Sequence, residues 1–183
     1  MELEILLERE PWQLALSFLQ DWGALTLLDP GLQSDHKWSR RLHWAKRFGI
    51  HPLTALIAGA REPLALARRL QLPQNQQKLI LEVSKINDFL KSKNIKDFFD
   101  WTPAHWCKFL ESNEWSPPAI ALTISTGNHL WRPMFRWWCR WRHIKSPVSA
   151  NKLIQQGWQP GPDLGAELQK QRYIQINSTT KSK

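Results

Sequence analysis

Gln76-Gln77-Lys78-Leu79-Ile80-Leu81-Glu82-Val83-Ser84-Lys85-Ile86-Asn87-Asp88-Phe89-Leu90-Lys91 carries the clearest periodicity in this chain. Leu79, Ile80, Val83, Ile86, Phe89 and Leu90 recur at spacings of three and four, so one face of a helix is apolar. Gln77, Lys78, Glu82, Lys85 and Lys91 fall on the opposite face, as in a half-buried helix.

Working outward, apolar spacing predicts helices over 3–9, 12–20, 37–48, 62–71, 75–92, 103–111, 117–126, 131–144, 149–156 and 162–173, and strand signals are almost absent. Asp29-Pro30-Gly31, Gly49 to Pro52, Leu72-Pro73, Thr102-Pro103, Ser116-Pro117-Pro118 and Ser146-Pro147 read as turns or helix starts, several with a capping Ser or Thr. The expected fold class is all-α, an irregular multi-helix bundle ending in a helix-turn-helix hairpin. Residues 1–146 are expected to form the helical body, 147–176 the tail hairpin and 177–183 a disordered C-terminus. The first helix begins almost at Met1 without a cap, so the chain reads as the later portion of a longer architecture.

The tail hairpin is written in Ser149-Ala150-Asn151-Lys152-Leu153-Ile154-Gln155-Gln156-Gly157-Trp158-Gln159-Pro160-Gly161-Pro162-Asp163-Leu164-Gly165-Ala166-Glu167-Leu168. A helix stops at Gly157, and Pro162 opens the next one at the position where its missing N–H costs nothing. Gly165 removes a side chain from that first turn, leaving backbone N–H groups at the positive end of the helix dipole as a candidate phosphate contact together with Gly161.

Leu153, Gly157, Pro160, Gly161, Pro162, Leu164, Gly165 and Leu168 make the phrase resemble the C-terminal segment of the bacterial CCA-adding tRNA nucleotidyltransferase and poly(A) polymerase family. Ala150 stands where a Gly often begins that segment. Trp22 to Pro30 is similar to the family's entry into its helical body. The resemblance implies a body and tail that grip a tRNA backbone while a catalytic head adds nucleotides to the 3′ end. It also implies two metal-binding carboxylates on a separate N-terminal head, and no Gly-Ser followed by Asp-x-Asp occurs here. Magnesium and ATP or CTP would therefore belong to a head absent from this chain, and the chain alone is expected to be inactive.

A formal charge of +9 over 183 residues makes a polyanion the natural partner, with tRNA or another structured RNA first. Hydrophobic content of 42% is that of a globular chain, and no apolar run approaches bilayer length, so a cytoplasmic protein without a membrane partner is expected. Cys107 and Cys139 form no Cys-x-x-Cys pair and suggest two reduced thiols. No catalytic or metal-ligating set is expected. Asp97 and Asp100 read as a surface pair, His36 and His43 lack a third ligand, and His51, His105, His129 and His143 are isolated.

Trp131 to Lys145 is the most suggestive constellation after the tail. Arg132, Arg136 and Arg140 recur every four residues and form a basic ridge on one helix, with Arg142 and Lys145 beyond it. The segment contains no acid, so the ridge meets solvent, the Glu-rich N-terminus or phosphate. Trp137 and Trp138 are expected to pack in the core, while Trp131 or Trp141 could stack on a terminal base. A second candidate comprises Arg40, Arg41, Lys46 and Arg47, in a stretch without an acid between Asp35 and Glu62. The expected function is an RNA-binding module of nucleotidyltransferase type, working with a catalytic head in trans or alone. The first-helix apolar residues Leu3, Leu6 and Leu7, followed by Leu14 and Phe18, would dock such a head unless they fill the core. The competing class is an interaction protein whose basic, Trp-rich surface binds an acidic protein; a membrane-surface helix ranks third.

Overall fold

The computed structural model describes residues 2–9, 11–93, 95–113 and 115–181. The α-helices among them are α1 (Glu2–Arg9), α2 (Trp12–Asp21), α3 (Pro30–Gln33), α4 (Trp38–Arg47), α5 (Pro52–Ile57), α6 (Pro63–Arg69), α7 (Gln74–Ser92), α8 (Pro103–Ser112), α9 (Pro117–Ser125), α10 (Trp131–Cys139), α11 (Ala150–Gln155) and α12 (Pro162–Lys181). Short 3₁₀ turns cover Ala24–Leu27, Ile95–Phe98 and Trp141–His143, and no strand occurs among the described residues, so the fold is all-α. None of these helices is long and apolar enough to cross a membrane.

Six helices open on a proline: α3, α5, α6, α8, α9 and α12. Pro is pre-set for helical φ and wastes no hydrogen bond at that position. Asp29, Thr102 and Ser116 precede three of those prolines, and their side chains accept the N–H of Gly31 (2.7 Å), His105 (3.3 Å) and Ala119 (3.4 Å). Each such cap stabilises a helix by about 1 kcal/mol. Two of the six, α3 and α5, begin where the sequence reads as a turn or helix start but are not among the helices expected from apolar spacing, because four and six residues are too few to display a period.

The chain divides into two compact units, with residues 1–93 and 115–132 in one and 94–114 and 133–183 in the other. The contacts therefore do not separate a body at 146 from a tail. In the first unit α9 is the centre. Every residue from Ala119 to Ser125 is buried, and α9 packs on both α7 and α4. The hydroxyls buried with it, Thr123 and Ser125, donate to the carbonyls of Ala119 (2.8 Å) and Leu122 (2.6 Å), so no polar group is stranded there. The stripe expected on α7 faces this core: Ile80, Val83, Ile86 and Leu90 are buried, with Leu79 and Phe89 half-buried at its edges. Ser116 joins the two helices by donating its N–H (3.2 Å) and its hydroxyl to Glu82.

In the second unit α8 packs on α12 and α11 on α12. Arg172 on α12 makes a bidentate pair with Glu111 on α8, Nη1 to Oε2 at 2.6 Å and Nη2 to Oε1 at 2.8 Å. Its Nε donates to the Ile144 carbonyl at 2.7 Å, and Trp137 Nε1 donates to Glu111 at 3.0 Å. Burial pushes the Glu111 carboxyl up, but the bonds from Arg172 and Trp137 together outweigh it and hold the group below the usual carboxylate range. Buried Ile176 and the Asn177 side chain, which accepts the Ala104 N–H at 3.0 Å, keep α12 on α8 near its end. The disorder expected for 177–183 is thus corrected over 177–181, which are helical; 182 and 183 lie outside the described residues.

α11 ends as its sequence requires. Gly157 takes φ +99°, its N–H bonds the Ile154 carbonyl (2.9 Å), and the Trp158 N–H bonds that of Leu153 (3.1 Å), which is a Schellman closure. Gly165 differs, because it lies inside α12 with open space around a hypothetical Cβ.

Gly157→Ala is expected to lower stability by about 1 kcal/mol, whereas Gly165→Ala raises it by roughly 0.5–1 kcal/mol, as judged by urea unfolding. Because the Glu111 carboxyl titrates lower folded than unfolded, its contribution is present above about pH 4.3 and lost as pH falls through the folded value. Glu111→Gln should cost roughly 1–2 kcal/mol at pH 7 and flatten the acid limb of a pH-dependent denaturation series.

Candidate nucleic-acid interface

On α4 the buried face is Arg41, Leu42 and Ala45, which leaves Arg40, His43, Lys46 and Arg47 exposed. Arg47 lies over the Trp44 ring at 5.3 Å. Gly127, at φ +72°, reverses the chain after α9, and Asn128 then accepts the Leu130 N–H at 2.8 Å to start α10. That turn sets the half-buried Trp131 beside α4, where Arg40 and Arg132 both lie over its ring at 5.7 Å. Neither guanidinium forms a salt bridge among the described residues. A ring held against a guanidinium restrains it and leaves its N–H fork to donate outward.

The second unit carries its own basic group. Arg136 and Lys145 are exposed, Arg140 donates to the Thr179 carbonyl at 3.4 Å, and Arg142 lies over Trp138 at 3.8 Å with Nε on His143 Nε2 at 3.0 Å. The helix expected over 131–144 stops at Cys139. Arg140 takes φ −134°, ψ −61°, so the third member of the expected ridge leaves the helical row after Arg132 and Arg136.

Three other expectations are corrected. Arg41 is only 2% exposed and cannot face RNA. Its Nη2 pairs with Asp35 and donates to the Leu56 carbonyl (3.1 Å), while Nε donates to the Ala55 carbonyl. Trp141 is buried and offers no face to a base. The Gly165 N–H is already bonded to the Gly161 carbonyl (3.3 Å), and Asp163 places a carboxylate in the first turn of α12, so that terminus repels the phosphate assigned to Gly161 and Gly165. Both glycines are exposed.

His51 is not isolated: Glu4 and Glu8 of α1 meet its Nε2 at 3.2 and 3.4 Å. Cys107 is buried, and burial first and the Glu111 charge second push its thiol up to about 12, which leaves it inert at neutral pH. Cys139 is exposed. Asp97 and Asp100 lie on the surface as expected, beside an aromatic cluster of Phe98, Trp101, Trp106 and Phe109. The Arg40–Trp131–Arg132 contact was not foreseen as a unit, because ninety-one positions separate Arg40 from Trp131 and nothing local links them.

Neighbouring arginines of α4 should therefore separate cleanly. Arg41→Met is expected to cost about 3 kcal/mol by removing the cation that pairs with Asp35 and the donor to the Ala55 carbonyl, while Arg40→Gln stays within about 0.5 kcal/mol of wild type in thermal or urea unfolding. Comparison of the chain with protein-family models, with curated proteins and with solved structures returns no match.

Proposed function

We propose that this chain is an RNA-binding helical module that grips the phosphate backbone and supplies hold, not chemistry, to nucleotide addition at an RNA 3′ end. The observation that carries the reading is the sorting of its charges. Asp35 and Glu111 are engaged by the inward-facing Arg41 and Arg172, while Arg40, Arg132, Arg136 and Arg140 stay exposed with no carboxylate partner among the described residues. On a chain of net charge +9 this leaves guanidinium forks turned to solvent, two of them restrained against Trp131. Such groups suit phosphate, and in A-form RNA the phosphates and 2′-hydroxyls are the accessible features. The tail phrase supports placing the module with the CCA-adding and polyadenylating nucleotidyltransferases, with tRNA as the first partner and magnesium and ATP or CTP held by a separate head.

That head would need a docking surface. Leu14 and Phe18 on α2 are exposed, Trp22 stacks on Phe18 at 5.9 Å, and Leu27 follows with 84% of its surface exposed. Leu7, by contrast, is buried. An apolar strip left in water suits a protein partner, and it also favours the second reading, a protein-interaction module.

Binding of the full chain to a tRNA and to a single-stranded RNA of equal length, across a salt series, tests the proposal. Preference for tRNA with a steep salt slope is expected. Arg40→Gln with Arg132→Gln, and separately Arg136→Gln with Arg140→Gln, should each weaken binding about tenfold and reduce the slope by roughly one to two contacts. No binding at low salt, or unchanged affinity in both double variants, would overturn it.

A further inference from the structure

Glu4 and Glu8 stand one turn apart on α1, and His51, immediately before the opening proline of α5, faces them where these two helices pack. One ligand atom from each of the three lies within 4.8 Å of the other two. His51 Nδ1 is buried, so Nε2 is the ring nitrogen open to a ligand, and it is the atom that both carboxylates approach, at 3.2 and 3.4 Å. Nε2 carries at most one proton in either state of the ring. Two carboxylates have thus been brought to one ring nitrogen.

A divalent cation serves all three groups at once. An ion with tetrahedral bonds of about 2.0 Å holds its ligand atoms roughly 3.3 Å apart, which is the spacing between Nε2 and each carboxylate oxygen. Its two positive charges match two carboxylates and a neutral imidazole. The imidazole selects the ion class: Zn²⁺ and its neighbours accept nitrogen readily, whereas Mg²⁺ and Ca²⁺ prefer oxygen alone. All three side chains remain partly exposed, from 28% for His51 to 51% for Glu8, so an ion can enter without unfolding the helices and a water can complete the shell.

We propose that Glu4, Glu8 and His51 form a three-ligand site for Zn²⁺ or a similar borderline divalent ion, clamping α1 to α5. The site is independent of the RNA reading and shares no residue with it. The i, i+4 spacing on α1 supplies both carboxylates from one face, and the cap position of α5 supplies the imidazole.

The test uses the full chain stripped with chelator and titrated with Zn²⁺, and in parallel with Co²⁺ as a spectroscopic probe. One saturable site is expected, with a visible Co²⁺ spectrum of tetrahedral intensity and no thiolate charge-transfer band. A rise of about 5 °C in the unfolding midpoint is expected at a hundredfold excess over Kd, and Mg²⁺ should not reproduce it. Glu8→Gln and His51→Gln, each checked for retained helicity by circular dichroism, should weaken Zn²⁺ binding at least about tenfold. Absence of a saturable site, binding unchanged in both variants, or a thiolate band placing the ion at Cys139 would each overturn the proposal.

Discussion

The first unit is organised around one buried cation. Arg41 brings a full charge into the core, and the chain answers it with the Asp35 carboxylate and the carbonyls of Ala55 and Leu56 at the end of α5. A helix leaves its last C=O groups short of partners, and the Leu56 carbonyl, which also accepts the Gly59 N–H at 3.0 Å, uses its second lone pair for Arg41. The guanidinium thus closes α5, ties it to α4 and fixes the loop that carries Asp35. A glycine is required beside it, since a Cβ at Gly59 would overlap both the guanidinium and the Asp35 carboxylate. Nearby, buried Asp29 works in the same manner with opposite sign, gathering the N–H groups of Gly31 and Arg61 at 2.7 Å each. Gly31 is needed for that approach, because a Cβ there would meet the Arg61 nitrogen.

Charge placement and function are linked through this arrangement. Once Arg41 and Arg172 have engaged the half-buried acids Asp35 and Glu111, the remaining basic residues of α4 and of the segment after Trp131 have few carboxylates to meet and accumulate at the surface. The same helix, α4, therefore performs two tasks with adjacent residues. Arg41 holds the core together, and Arg40, one position earlier and about 100° round the helix, reaches Trp131.

Much of this was legible before any coordinates. α7 and α9 follow from period and punctuation, and the Gly157 stop is realised with the bonds its residue type implies. Arg41 was misplaced because a charge pattern records which residues are basic and not which way they point, and its acceptors lie on α5, whose six residues show no period. The end of α12 was missed because polar composition suggested fraying, while the anchors Ile176 and Asn177 depend on α8, some seventy residues earlier. His51 reads as solitary because its carboxylates, Glu4 and Glu8, lie more than forty positions earlier on another helix. In each case the missing information was a contact between distant segments, which local patterning does not encode.

The path of the chain between its two units also governs how the protein can be made. The chain leaves the first unit after residue 93, returns at 115 and leaves again after 132. The apolar stripe of α7 therefore waits for α9, synthesised only after the whole of α8 has emerged. During translation neither unit can close when its own first segment is complete, and although α6 already packs on α7, the part of α7 that α9 covers stays open for the time taken to add some twenty-five residues, on the order of a second or more. A nascent chain held at that length exposes the part of α7 that α9 covers in the finished fold.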